Sequence, residues 1–261
     1  MQERHKNRML YFKELSVTSK HYFMPYIRRW HNVEAGMNVL EIGCGEGGNL
    51  LPFAEMGCRV TGVDIAACRI EEAKSYFDQC HAEGEFIAED IFRLVSLGKR
   101  YDIIICHDVI EHINSKEVLL LKIGCWLKAD GVAFVSFPAW QMPFGGHQQI
   151  SENRVLSHLP FVHLLPARLY GAVIRWFEES AECADELLAI KQTRVTTETF
   201  ERLVSRTILT VKHRQLWLVN PHYEVKFGLR PCRLPRVLSA IPYLRNFLSS
   251  SCFYILTTKP I

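Results

Sequence analysis

The sequence predicts an α/β protein with a doubly wound, seven-stranded, mostly parallel sheet and helical lid insertions, and three observations predict it. Short β-branched runs alternate with helix-length segments from residue 38 onward. One run, "YDIIICHD" at 101–108, is apolar almost throughout, as a parallel strand covered on both faces is. A glycine-rich turn, "GCGEGG" at 43–48, joins the first run to the segment after it.

The elements follow in order. A basic, aromatic-rich lead, "YFKELSVTSKHYFMPYIRRW", belongs to an N-terminal helical lid over 1–35, in which Tyr11 and Tyr22 can close over a ligand. The main domain then occupies 36–261. "NVLEIG" reads as a strand, 49–57 as a helix, "RVTGVD" as a strand and "ACRIEEAKSYFDQC" as an amphipathic helix. "GEFIAED" and "YDIIICHD" are strands three and four. A helix over 115–127 ends near "KADG", where Gly131 can supply a left-handed cap, and "VAFVSFP" is strand five. From Pro138 the rhythm breaks into an insertion over about 138–195, long enough at this edge to be a substrate lid. "TTETFERLV" has the threonines of a helix start. "ILTVKHRQLWLV" and "CFYILTT" read as an antiparallel pair. Between them, 220–249 forms a second insertion, too rich in Pro and Arg for core.

Composition narrows the function. Hydrophobic residues make up 48% and charged residues 23%, which is globular. No apolar run approaches the roughly 18 residues of a spanning helix, and "MQERHKNR" lacks the apolar stretch of an export signal. Nine scattered cysteines without zinc spacing fit a reducing cytoplasm. The net charge is +3, but residues 1–30 carry seven Lys/Arg against two Glu, and 212–245 carry seven against one. Solvated surface explains such segments; so does a rim that attracts anions.

The glycine turn fits two cofactors. As Gly43, Gly45 and Gly48 it is the dinucleotide fingerprint, whose backbone N–H groups receive a pyrophosphate. As Glu41, Gly43, Gly45 and Gly47 it begins with a carboxylate, which repels phosphate and attracts an ammonium group. Asp64, at the end of the second strand, suits a ribose diol. Asp90 follows the third strand, where it can accept from an adenine amino group while Ile65 and Ile91 cover the ring faces. Adenine, ribose and an amino-acid-like cation together make S-adenosylmethionine. A nicotinamide oxidoreductase is disfavoured by Glu41.

At "VLEIGCGEG", "VTGVD", "AED" and "YDIIICHDVIEHI" the chain resembles the class I S-adenosylmethionine-dependent methyltransferases, in particular the small-molecule group similar to the ubiquinone and menaquinone biosynthesis enzymes. The resemblance covers about 36–138 and the closing helix and strands. It implies a Rossmann-like methyltransferase fold, Glu41, Gly43 and Gly45 at the methionine end, Asp64 at the ribose, Asp90 and Ile91 at adenine, and His107 at the lip of strand four, with Tyr22 as a lid residue.

Methyl transfer from a sulfonium needs alignment and, for a hydroxyl acceptor, a base. Glu111 and His112 in "VIEHI" are candidates, as similar pairs lie near the reacting centre of quinone methyltransferases; a helix-start carboxylate and a backbone-bonded histidine are the structural alternative. His147 in "PFGGHQQ" is preferred, with Gln148, Gln149 and Tyr11 as substrate contacts. For a divalent metal, Asp108 and Glu111 stand near strand four but no further Asp/Asn pair follows them, so none is expected. The sequence thus predicts methylation of a small molecule, most simply at a hydroxyl, with C- or N-methylation of a quinone-like or glycan-like metabolite and a non-catalytic cofactor-binding module as alternatives. The insertions suit an acceptor with an apolar part and a negative group. "PFVHLLPARLYGAVIRWF" suits lid packing, and leaves room for peripheral membrane contact. Nucleic acid is not expected: no Asn/Asp-Pro-Pro-Tyr/Phe motif occurs, and the pI of 8.3 is modest. Oligomeric state is not legible.

Overall fold

The computed structural model describes residues 7–151, 153–177 and 179–259, so the first six residues of the expected N-terminal lid lie outside them. Five parallel strands form the centre of one sheet: β1 (Asn38–Ile42), β2 (Arg59–Asp64), β3 (Glu85–Ala88), β4 (Tyr101–His107) and β5 (Leu127–Phe137). β6 (Leu209–Val219) and β8 (Ser251–Thr258) continue it antiparallel, and a two-residue β7 (Cys232–Arg233) closes the edge. The order is β3-β2-β1-β4-β5-β8-β6-β7. The seven strands expected are therefore joined by an eighth, contributed by the second insertion. From β1 the chain builds outward to β2 and β3, then returns to place β4 on the other side of β1. Connections diverge at that point, which leaves a crevice beyond the carboxyl ends of β1 and β4.

Strand alternation separates two apolar layers. On β4, Ile103 and Ile105 face one layer while Ile104 and Cys106 face the other. The first layer receives α1 (Arg8–Thr18), α2 (Met24–Ile27), α3 (Leu51–Glu55) and α4 (Ala67–Gln79), through Phe12, Ile27, Phe53 and Phe77. A π-helical turn, Ser19–Phe23, joins α1 to α2. Pro52 near the start of α3 and Gly57 at φ +80° beyond it confine that helix to little more than one turn, shorter than the sequence predicts.

The second layer receives α5 (Lys116–Trp126) through Leu119, Leu120 and Ile123. Gly131 does not cap this helix, because β5 begins at Leu127 and carries the chain straight on. Its role is steric: a Cβ there would sit 2.9 Å from the Asp102 carbonyl oxygen on β4. The first insertion folds into α6 (Arg154–His158), α7 (Ala167–Trp176) and α8 (Ala181–Thr193). They share a small core of Leu156, Val162, Tyr170, Ile174, Cys183 and Leu187. α9 (Thr197–Ser205) follows, capped by the Thr196 hydroxyl accepting from Thr199 N–H.

The second insertion holds α10 (His222–Phe227), α11 (Arg236–Ala240) and α12 (Leu244–Phe247). Its composition points away from the core, yet Leu234, Arg245 and Asn246 are buried. Arg245 is neutralised there: its guanidinium lies 3.0 Å from Glu198 and donates to the Thr197 hydroxyl. Asn246 accepts from Thr197 N–H and donates to Glu198. These two polar residues enter the interior because each finds a partner.

The first insertion carries an acid-sensitive group. His163 is fully buried, its Nε2–H donates to the Trp140 carbonyl, and burial pushes its pKa down to about 4. A folded value below the unfolded 6.5 means that stability is complete above pH 6.5 and is lost as pH falls toward 4, by on the order of 3 kcal/mol at most. Hydrogen exchange at pH 7 and pH 4.5 should show amides of α7 and α8 opening before those of β4 and β5. Equal protection of both groups at pH 4.5 would show that His163 does not hold the insertion.

Candidate active site

The turn after β1 is tied down by its own backbone. Gly43 N–H and Cys44 N–H both donate to the Val63 carbonyl, at 2.8 and 3.1 Å. Gly43, Gly45 and Gly47 have φ of +69°, +49° and +80°, which favours glycine at each. Gly43 also has no room for a side chain, since a Cβ would stand 2.3 Å from Val109 Cγ2. The chain therefore passes close to β4 and leaves its outer side to a ligand.

Glu41 is buried under this turn. Asn49 Nδ2 donates to its Oε1 at 2.7 Å, while Oε2 is buried with no hydrogen-bond partner. Burial pushes its pKa up to about 8. A cationic ammonium would satisfy that oxygen and restore the charge, whereas a phosphate would aggravate the cost. Asp64 Oδ2 accepts from Gly45 N–H and Oδ1 from Ala66 N–H, each at 2.9 Å. A carboxylate has about four acceptor sites, so a diol can still be bound. Ile65 beside it is 74% exposed, as a residue that covers a ligand ring would be. Asp90 Oδ1 accepts from Phe92 N–H at 2.9 Å, and Ile91 is buried in the second apolar layer. His107 is buried at the end of β4, with Nδ1 2.6 Å from Ser136 Oγ and its ring against Phe23. Tyr22 donates its hydroxyl to Glu224 on α10 and packs edge-on to Trp217, so it ties the N-terminal helices to the second insertion. The residues fit S-adenosylmethionine on the strength of the unpartnered Glu41 oxygen and the constricted glycine turn.

Beside this crevice lies a cavity of about 830 Å³. Asp108 and Pro138, which follow β4 and β5, supply its floor; the two insertions and Tyr11 supply its walls. His147 opens into it, held at φ +55°. Behind His147 the ring of His112 stands edge-on at 4.9 Å, and Glu111 Oε1 lies 3.9 Å from His112 Nε2. Potential ligand atoms of Glu111, His112 and His147 lie within 4.8 Å of one another. That donor set is of a metal-binding kind, although the sequence suggests none; spacing along the chain conceals it because His147 comes from a different loop. Burial raises the Glu111 carboxyl well above the usual range, assisted by Asp108, and both its oxygens lack a hydrogen-bond partner. Burial and the neighbouring His112 and His163 push His147 down to about 3. Burial lowers His112 too, but Asp108 works in the opposite direction.

Gln149 lines the cavity, and Gln148 does not. Gln148 is fully buried and donates to the Pro143 and Leu159 carbonyls at 3.0 and 3.1 Å, which makes it a strut of the first insertion instead of a substrate contact. Arg230, Arg233 and Arg236 are exposed and outside the lining, whereas Lys226 and Arg154 belong to it. Sequence reading also misses Glu46, buried within the glycine turn and ion-paired with Arg8 of α1 and Arg69 of α4. Asp108, weighed in the sequence only as a metal ligand, lines the cavity instead. Its φ of +51°, uncommon for aspartate, is a signal only the backbone shows.

Fold and site together define a class I S-adenosylmethionine-dependent methyltransferase. The methyltransferase domain model matches residues 19–181, and the chain belongs to that family, whose cofactor is S-adenosylmethionine. Among curated proteins it is similar to the ubiquinone biosynthesis O-methyltransferases of Rickettsia canadensis (strain McKiel), 30% identical over 115 residues covering 44% of this chain and 48% of the relative, and of Chelativorans sp. (strain BNC1), 33% identical over 140 residues covering 54% of each. The chain thus spans about half the length of the curated relatives it matches. Solved structures with the same fold include a putative sarcosine dimethylglycine methyltransferase from Galdieria sulphuraria, with TM-score 0.60, 12% identity, and 92% of this chain and 85% of the other covered. The plantazolicin methyltransferase BpumL, in complex with a pentazolic desmethylPZN analog and SAH, gives 0.58 at 17% identity, with 99% and 89% covered.

The account of Asp64 predicts that Asp64→Ala weakens cofactor binding by on the order of 1.5–3 kcal/mol, the scale of hydrogen bonds to a charged group. Calorimetric titration with S-adenosylmethionine checks this, and an unchanged dissociation constant places Asp64 outside the site.

Proposed function

We propose that the protein transfers a methyl group from S-adenosylmethionine to a hydroxyl of a small-molecule acceptor in a reducing, cytoplasmic setting. One observation carries the reading: a walled cavity adjoins the cofactor crevice and is lined by His147, with the ring of His112 against it. The similar curated proteins are ubiquinone biosynthesis O-methyltransferases, which supports oxygen over carbon or nitrogen.

Glu41, Asp64 and Asp90 would hold the ammonium, ribose and adenine, with Gly43 and Gly45 giving close backbone approach. When bound, the cofactor supplies an electrophilic methyl group on a sulfonium. The chain's own task is to orient the acceptor and remove its proton. Of the two histidines, His147 is the one that lines the cavity. It faces His112 and His163, both of which disfavour charge on it, so its value near 3 makes it a poor resting place for a proton. His112 is 40% exposed and faces Asp108, whose charge favours the imidazolium. A proton taken from the acceptor is therefore better held on His112 than on His147, and passes from there to water. Burial raises the Glu111 carboxyl well above the usual range, which favours its uncharged form and so disfavours a second negative charge beside the pair.

A methyl-transfer screen with labelled cofactor against a metabolite extract, run with EDTA present, tests the function. His112→Ala and His147→Ala should each lower label transfer by ~10² to 10⁴ with cofactor binding kept, the usual contribution of general-base catalysis. Full activity in both variants would contradict a histidine base and favour a carbon or amine acceptor. Both histidines are lowered from 6.5, so the proton-accepting form predominates at pH 7. Transfer should rise through an inflection below pH 6.5 and stay flat to pH 8. An inflection above pH 7 would contradict the assignment.

A further inference from the structure

Each insertion contains a segment free of carboxylates. Residues 153–177 carry three Arg, 225–250 carry four Arg and one Lys, and none of the chain's 28 Asp and Glu falls in either. The same two segments hold most of the large apolar side chains that are exposed among the described residues. Exposed apolar surface gathered in this way marks a face that meets something other than water.

The arrangement is clearest on α7. Tyr170 and Ile174 enter the small core of the first insertion. Leu169, Ala172 and Trp176, spaced by three and four residues, form an outer stripe, with Leu165 just ahead of the helix. Trp176 at its end is 80% exposed. Arg168 and Arg175, seven residues apart and both exposed, line one side of that stripe. α8 carries Glu182, Asp185 and Glu186, but it packs Cys183 and Leu187 into the same core and so lies across it from the stripe. On the second insertion, exposed Arg230, Arg233 and Arg236 lead into exposed Val237, Ile241 and Tyr243. The two segments meet at the cavity, which is lined by His158 of α6 and by Phe227 and Leu229 at the end of α10.

We infer that this cationic, apolar face docks on the surface of an anionic lipid bilayer, with Leu169, Trp176 and Val237 in the headgroup layer and the flanking arginines at the lipid phosphates. Charge complementarity selects this occupant. Anionic headgroups attract arginine, and an apolar helix stripe ending in tryptophan settles at the boundary between headgroups and acyl chains. No helix among the described residues is long and apolar enough to cross a membrane, so the contact is with one leaflet. A second copy of the chain fits less well, because a two-fold contact would set a cationic, acid-free segment against its own like. A nucleic acid would engage the arginines and leave the apolar stripe in water. Docking of this kind does not depend on which atom is methylated.

Co-sedimentation of the full chain with vesicles tests the docking. Vesicles of phosphatidylcholine and phosphatidylglycerol in about equal parts should bind the protein roughly tenfold or more tightly than vesicles of phosphatidylcholine alone. Most of that difference should vanish between about 0.1 M and 1 M salt, as the screening length falls from about 10 Å to about 3 Å. Trp176, the most exposed of the five tryptophans, should shift its emission to the blue when the phosphatidylglycerol vesicles are added. Leu169→Ser with Trp176→Ser should lose most of the binding, and Val237→Ser should weaken it through the second insertion. Arg168→Gln with Arg175→Gln should lose the preference for phosphatidylglycerol. All three variants should keep the parent's affinity for SAH, which shows that they fold. The inference is overturned if neither vesicle binds, if phosphatidylcholine alone binds equally well, or if the Leu169/Trp176 variant binds as the parent does. A dimer in sedimentation equilibrium that the same variant breaks, without vesicle binding, would assign the face to a second copy and overturn it too.

Discussion

A carboxylate oxygen buried without a partner is the constraint around which this molecule is arranged. Glu41 cannot be exposed, because β1 is the central strand, paired with β2 on one side and β4 on the other. It is not fully paired either, because Asn49 satisfies one oxygen only. Its pKa near 8 expresses that imbalance as a proton held at neutral pH. A cationic ligand relieves it. The glycine turn above is rigid for a complementary reason: two of its N–H groups are spent on Val63, and a third is spent on Asp64. Donors that would otherwise receive a pyrophosphate are occupied.

The same turn anchors what surrounds it. Glu46 draws Arg8 from α1 and Arg69 from α4 onto one buried carboxylate, which fixes the N-terminal helices against the cofactor crevice. Tyr11 of α1 thereby reaches the cavity wall, packed edge-on against His222 of α10. The second insertion is held in turn by Arg245 and Asn246, which bond to the start of α9. Acceptor and donor compartments thus share walls that are tied together by polar pairs instead of by a continuous apolar core.

Much of this was legible in the sequence where a local rule operates. Alternation and apolar runs gave β1 to β5, the threonines before α9 marked its start, and Glu41 set against the glycines distinguished one cofactor from another. Legibility failed where the deciding contact is distant along the chain. Gly131 has the local look of a cap, but the carbonyl of Asp102 determines its role. Gln148 has the look of a substrate contact, but the carbonyls of Pro143 and Leu159 claim its amide. Counting Lys and Arg in 212–245 could not separate Arg245, which is neutralised inside, from Lys226, which lines the cavity. The meeting of Glu111 and His112 with His147 was likewise invisible, as it depends on how the first insertion folds back over the end of β4.

The account's central claim is that Glu41 is protonated until a cationic ligand arrives. Calorimetric titration with S-adenosylmethionine at pH 7, repeated in buffers of different ionisation enthalpy, measures the protons exchanged on binding. The account predicts release of close to one proton by the parent protein and of none by Glu41→Gln, which should also bind more weakly. No proton release by the parent, or the same release by Glu41→Gln, would contradict it.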